Sequence, residues 1–186
     1  MVGQALKKDK RYTYQDYVSW DDGERWEIID GEAYCMTPAP KIRHQNIVSN
    51  FHITLKRHPD NRCYTAIAPT DVVFDEYNVV QPDVFVVCDK NKITEDNIKG
   101  APDLIVEVIS ASTELKDKRE KKYLYERFGV REYIIVYPER EYVERYSLDD
   151  NRYGAPELFN WDEVLKLRSF EIEINLWEIF EKEREV

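Results

Sequence analysis

The chain has 186 residues, with 37 acids against 27 bases and a formal net charge of −10 at neutral pH. A chain this long buries roughly 70% of the surface it exposes when unfolded, so one core suffices without disulfide or metal staples. Its 42% hydrophobic and 13% aromatic content, with six Gly and eight Pro, excludes a disordered or low-complexity protein, and its acidity excludes one that coats nucleic acid through bulk charge.

Thr13 followed by Asp16 has the spacing of a capping box and predicts a short helix ending near Ser19. The stretch Trp26 to Met36 places Asp30-Gly31 between two β-type runs, a hairpin signal. After Pro38 and Pro40, residues Ile47, Val48, Phe51 and Leu55 recur at helical spacing within a first long helix, Lys41 to His58. Strands are expected over Cys63 to Ile67, Asp71 to Asp75, Asp83 to Cys88 and Leu104 to Ile109. The last is apolar on both faces, like a central strand. Glu114 to Phe128 is a second helix closed by Gly129. It is followed by strands Glu132 to Tyr137 and Tyr142 to Leu148, then a peripheral strand around Phe170 to Ile174 and a helical tail, Leu176 to Arg184. This order describes an α/β fold, a mixed central β-sheet flanked by helices, read as a single domain with its core at about 12–148 and a peripheral part at 149–186.

Cys35, Cys63 and Cys88 are odd in number and 28 and 25 residues apart, so they read as free, small, buried residues of a reducing compartment. The basic N-terminal stretch leads into no apolar segment, and the densest apolar run, Leu104 to Ile109, is far below the roughly 20 residues of a membrane span. A cytoplasmic protein with no membrane contact is expected.

Two carboxylates stand where apolar residues belong. Alternation places Glu107 on the face of Ile105 and Ile109, and Asp83 on the face of Phe85 and Val87. If the two strands are neighbours, the acids meet, and a divalent cation with oxygen ligands is the usual way to hold them. Each also has a purely structural reading: Asp83 caps the strand entrance after Pro82, and Glu107 pairs with a buried Lys or Arg. Asp117, Lys121 and Tyr125 fall four apart on one stripe, continued by Phe128, which turns Lys121 toward the sheet. There it could orient water and neutralise charge on a phosphoryl oxygen. Alternatively, it belongs to a solvated run, Lys116 to Lys122, of five bases and two acids.

Lys41, Arg43, His44, Lys56, Arg57 and Arg62 give the first long helix a basic surface. His44 is either a helper in proton transfer or phosphate contact, or a polar residue at the helix start. Glu27 and Glu32 flank the hairpin turn as possible extra ligands or as solvated acids. No GxxxxGK[ST], GxGxxG, HExxH or GxSxG string occurs, so no nucleotide cofactor is expected.

EIIDGE at Glu27 to Glu32, RHQNIV from Arg43, VVQPDVFVV from Val79, GAPDLIVEVIS from Gly100, DKREKKYLY from Asp117 and GVREYIIV from Gly129 together resemble the Uma-type family of bacterial restriction-endonuclease-like proteins, in the PD-(D/E)XK nuclease superfamily. The resemblance spans about Tyr12 to Leu148. It implies a restriction-endonuclease-like core and a phosphodiesterase using Mg²⁺ or Mn²⁺. Asp83 and Glu107 would be the metal ligands, and Lys121 the superfamily lysine moved onto the next helix, since Ile109 occupies its commoner place. His44 matches the RHQ histidine, and the catalytic set becomes Asp83, Glu107, Lys121, His44 and Glu27. One departure is Tyr137, where the family pattern would have an Asp before Pro138. The expected partners are DNA and a second copy of the chain, since double-strand cleavage by one site per chain needs two. The rival readings are a catalytically inactive nuclease-fold module acting in DNA binding or assembly, and an enzyme acting on a small phosphorylated substrate.

Overall fold

The structure, a computed structural model, describes residues 10–36, 39–58, 62–110 and 113–183. Thr13 caps helix α1 (Tyr14–Val18) through the reciprocal bonds of a capping box with Asp16. Strands β1 (Trp26–Ile29) and β2 (Glu32–Cys35) form the expected hairpin, turning at Asp30 and Gly31 with φ of 52° and 80°. Positive φ at both central residues is the geometry that an Asp-Gly pair favours.

Helix α2 (Ile42–Arg57) buries Ile47, Val48, Phe51 and Leu55, the stripe that periodicity predicts. β3 (Tyr64–Ile67), β4 (Val72–Asp75), β5 (Asn78–Val80), β6 (Val84–Val87), β7 (Ile98–Lys99) and β8 (Leu104–Val108) follow. The second helical segment consists of α3 (Glu114–Lys116), a π-helical turn (Asp117–Lys121) and α4 (Lys122–Phe128), with Gly129 at φ 80° as its C-cap. Then come β9 (Glu132–Tyr137), β10 (Tyr142–Asp149), β11 (Arg152–Tyr153), β12 (Glu157–Asn160), β13 (Val164–Lys166), β14 (Glu173–Asn175) and α5 (Leu176–Ile179). The helical tail is thus one short turn-rich segment, and Arg184 lies outside the described residues.

The central sheet has the order β11-β10-β9-β8-β6-β3, antiparallel except for the parallel pair β8 and β9, with β12 pairing β10. Joining parallel strands requires a crossover, and the α3 to α4 segment supplies it. The β1–β2 hairpin does not join this sheet. It belongs to a second, five-stranded sheet, β2-β1-β5-β4-β7, built with the short strands β5 and β7 that the sequence pattern passes over. One face of the central sheet packs Val84, Val86, Leu104, Val106 and Val108 against α2, α5 and the β13–β14 hairpin. The other packs Phe85, Ile105 and Ile135 against the second sheet and α4.

The cysteine reading is corrected. Tyr64 pairs with Val87 across β3 and β6, which sets Cys63 opposite Cys88 with Cα atoms 4.4 Å apart, and the two form a disulfide. Neither is buried, nor is Cys35. Strand register, which sequence spacing does not contain, made that pair. Among the described residues no helix is long and apolar enough to cross a membrane.

Candidate active site

Val84 of β6 pairs with Val106 of β8, so Asp83 and Glu107 stand across from one another on adjacent strands. Asp83 is fixed by the Val108 backbone N–H, which donates to Oδ2 at 2.8 Å, and by His44 Nε2 at 3.3 Å from the same oxygen. His44 reaches it from the first turn of α2. Burial would lower the His44 pKa, but the neighbouring Asp83 carboxylate outweighs this and raises it.

Glu107 is buried. Its Oε1 accepts from Lys121 Nζ at 2.9 Å and from the Tyr125 hydroxyl at 2.7 Å. Lys121 also lies 2.8 Å from Glu27 Oε1 and 3.8 Å from Asp117 Oδ1. A lysine with 3% of its side chain exposed would ordinarily lose its proton, yet three surrounding carboxylates hold its pKa well above the usual value. The structural and functional readings of Glu107 therefore meet in one residue: the base that neutralises it is the lysine the resemblance assigns. Burial pushes the Glu107 carboxyl up to about 8 against the pull of Lys121, with Asp117, Asp83 and Glu27 adding to the rise.

Glu27 is completely buried, unlike the solvated hairpin acid that a surface turn would carry. Both faces of β1 are covered: Trp26 and Ile28 pack with Tyr12 and Ala33, so Glu27 and Ile29 point between the two sheets. Its Oε1 accepts the Gln81 N–H at 3.1 Å and its Oε2 receives Lys116 Nζ at 2.6 Å. Burial works against ionisation, but Lys116 and Lys121 overcome it and bring the carboxyl down to about 2. Glu32 is exposed and accepts from the Tyr34 hydroxyl at 2.9 Å, outside this cluster.

The π turn explains how two lysines reach one carboxylate. Five residues along an α-helix rotate by about 140°, which would splay Lys116 from Lys121. The i→i+5 bonding of Asp117–Lys121 brings such positions over one another. The stripe of Asp117, Lys121 and Tyr125 is inward as spacing predicts, while Lys116 and the π turn carry no periodic signal. Gln81 was also missed. Its side chain is gripped by Arg25, Asp71 and Tyr17, and it anchors the backbone that holds Glu27.

Among the described residues no group of three or more His, Cys, Asp or Glu side chains forms a ready metal cage. Two carboxylates do face each other, and no hydrogen bond or ion pair among the described residues engages Asp83 Oδ1 or Glu107 Oε2. Two hard oxygens, with water completing the shell, suit Mg²⁺, which keeps several waters and needs few protein ligands.

Comparison with known proteins bears on the family and the fold. A family model described as "Uma2: Putative restriction endonuclease" matches residues 14–177. The chain belongs to the Uma2 family. An uncharacterised protein of Synechocystis sp. (strain PCC 6803) is 27% identical over 142 residues, covering 74% of each chain. A crystal structure from Anabaena variabilis, described as a putative nuclease belonging to DUF820, superposes with a TM-score of 0.72 at 17% identity, covering 91% of this chain and 97% of that one. At that identity the likeness shows the fold, the mixed α/β nuclease core of this Uma2 member.

Proposed function

We propose that this Uma2 protein is a nuclease that hydrolyses DNA phosphodiester bonds with Mg²⁺ or Mn²⁺ held by Asp83 and Glu107. The observation that carries the reading is the buried Lys121, held between Glu27 and Glu107 at 2.8 and 2.9 Å beside the facing Asp83. The family match supports the nuclease class. When bound, the cation would polarise a phosphoryl oxygen and acidify a water.

The protein's own groups do the rest. Lys121 is held protonated, so it serves as a fixed cation that orients water and balances phosphoryl charge, not as a base. Glu27, filled by Lys116, Lys121 and the Gln81 N–H, positions that cation and has no role as a metal ligand. His44, protonated more readily beside Asp83, donates toward a phosphate or leaving oxygen at the rim. Basic residues of α2 and of the 116–122 segment approach the backbone. Lys41 and Arg43 now pair with Glu139 and Glu141, partners that phosphates would displace. Two copies of the chain, one site each, would cut both strands.

The test is plasmid DNA with Mn²⁺: wild type nicks or linearises it, while Asp83→Ala and Lys121→Ala leave it supercoiled. Equal cleavage by all three overturns the proposal. The net charge of −10 opposes tight phosphate binding and leaves one rival, a catalytically inactive nuclease-fold module. Calorimetric titration separates them, because that module has no saturable Mn²⁺ uptake that Asp83→Ala removes.

A further inference from the structure

An aromatic step beside the carboxylates is unused by the proposed cleavage chemistry. Val108 of β8 pairs with Val136 of β9, so Tyr137 emerges next to the end of β8 on the face that carries Glu107. Strand spacing and rise put the two backbones about 8 Å apart. Tyr142, at the start of β10, pairs with Tyr137, and their rings stack with centroids 4.3 Å apart and planes 12° from parallel. Tyr137 is buried and Tyr142 half-buried, so the pair runs from the core to the surface. Tyr125 and Tyr133, by contrast, meet wholly inside.

Two cations flank the step. Lys118 Nζ lies 5.3 Å and the Arg140 guanidinium 5.9 Å from the Tyr137 ring centroid, and Lys118 also pairs with Glu144 at 3.3 Å, a partner that a phosphate would displace. Lys118 projects from the π turn that also supplies Lys121, and Arg140 is exposed. An aromatic face between cations is the chemistry that takes a nucleobase by stacking while its phosphates meet positive charge. A paired base inside a duplex offers a protein only its groove edges, its faces being covered by its neighbours. The ligand class is therefore an unstacked base.

We propose that Tyr142, backed by Tyr137 with Lys118 and Arg140 around that second ring, is a stacking platform for one unpaired nucleobase, and that the strand entering the carboxylate site is single-stranded or locally opened. The second clause rests on the nuclease reading. The platform itself does not.

The test measures fluorescence anisotropy of a short fluorescein-labelled single-stranded oligonucleotide in EDTA, where binding is read without cleavage. Wild type binds the single strand more tightly than the matching duplex. Tyr142→Ala weakens single-strand binding about tenfold or more with duplex binding unchanged, and Tyr142→Phe, which keeps the ring, restores it. Far-UV circular dichroism and thermal melting confirm that the variants fold. Should Tyr142→Ala not fold, abasic substitutions in the oligonucleotide replace it and cost wild type the same factor. The platform is overturned if wild type does not prefer the single strand, if Tyr142→Ala or the abasic strand binds like the reference, or if Tyr142→Phe loses as much as alanine. Plasmid cleavage in Mn²⁺ is scored separately. Cleavage without the tyrosine effect removes only the platform, and the tyrosine effect without cleavage removes only the nuclease reading.

Discussion

Two buried charge clusters occupy the same parallel strand pair and differ in what they leave unfilled. At the amino end of β9, Glu132 is completely buried on the α2 side of the sheet. Its oxygens accept the backbone N–H groups of Arg168 and Ser169 at 3.0 to 3.1 Å, with Arg145 at 3.9 Å. Arg145 is itself bound to Glu157 and the Lys166 carbonyl. This clasp ties the β13–β14 hairpin to the sheet. Toward the carboxyl end of β8, on the opposite face, Glu27, Glu107 and Asp117 crowd around Lys121, with Asp83 adjacent. Acids exceed bases there and two oxygens stay open. The clasp fills both Glu132 oxygens with protein donors, whereas the second cluster keeps surplus negative charge and open oxygens at the carboxyl end of β8, the place proposed above for a cation.

The largest expected break in that comparison is Lys121→Met. It removes the buried cation shared by Glu27, Glu107 and Asp117, costing about 3–5 kcal/mol in denaturant titration, and it ends Mn²⁺-dependent cleavage. The pH dependence of the two clusters should have opposite signs. The Glu27 carboxyl is lowered from 4.5 to about 2, so its contribution is fully present above 4.5 and lost as pH falls through about 2. The stability gap between wild type and Glu27→Gln should therefore close across that window, by at most about 3 kcal/mol. The Glu132 carboxyl is raised, burial outweighing its amide donors, so its ionisation costs stability as pH rises past the ordinary 4.5. Relative to wild type, Glu132→Gln should gain stability over that rise, and thermal melts in a pH series check both signs.

Metal sharpens the contrast further. Mn²⁺ at a hundredfold excess over its dissociation constant should stabilise wild type by about 2.7 kcal/mol in thermal melts, and Asp83→Ala not at all. The smallest effect is at the clasp. Glu132→Ala frees two backbone donors and should cost about 2 kcal/mol, with cleavage per folded molecule unchanged. A Glu132→Ala protein that stays folded but cuts no DNA would erase the distinction between the clusters.

Much of this was legible in the chain. The capping box at Thr13, the Asp30-Gly31 turn, the α2 stripe and the Gly129 cap came from local rules, because each depends on residues within a turn or two. The inward turn of Lys121 followed from spacing, and the odd acids Asp83 and Glu107 from alternation. Glu27 was named but its burial was not foreseen, since a hairpin acid is buried only when a second sheet covers it. Lys116 joined Glu27 through a π turn with no periodic signature. Cys63 and Cys88, 25 positions apart, became partners through strand register.

The sequence by itself determined the order and kind of the main elements, the family, and the two misplaced acids with a lysine on the following helix. Periodicity is a property of neighbours along the chain, and it places side chains on faces. Only the tertiary structure decided that β6 and β8 are adjacent, that two sheets enclose Glu27, and that one ammonium serves three carboxylates. Those facts arise where distant segments exclude water together, and there the cost of burying charge selects which groups must meet.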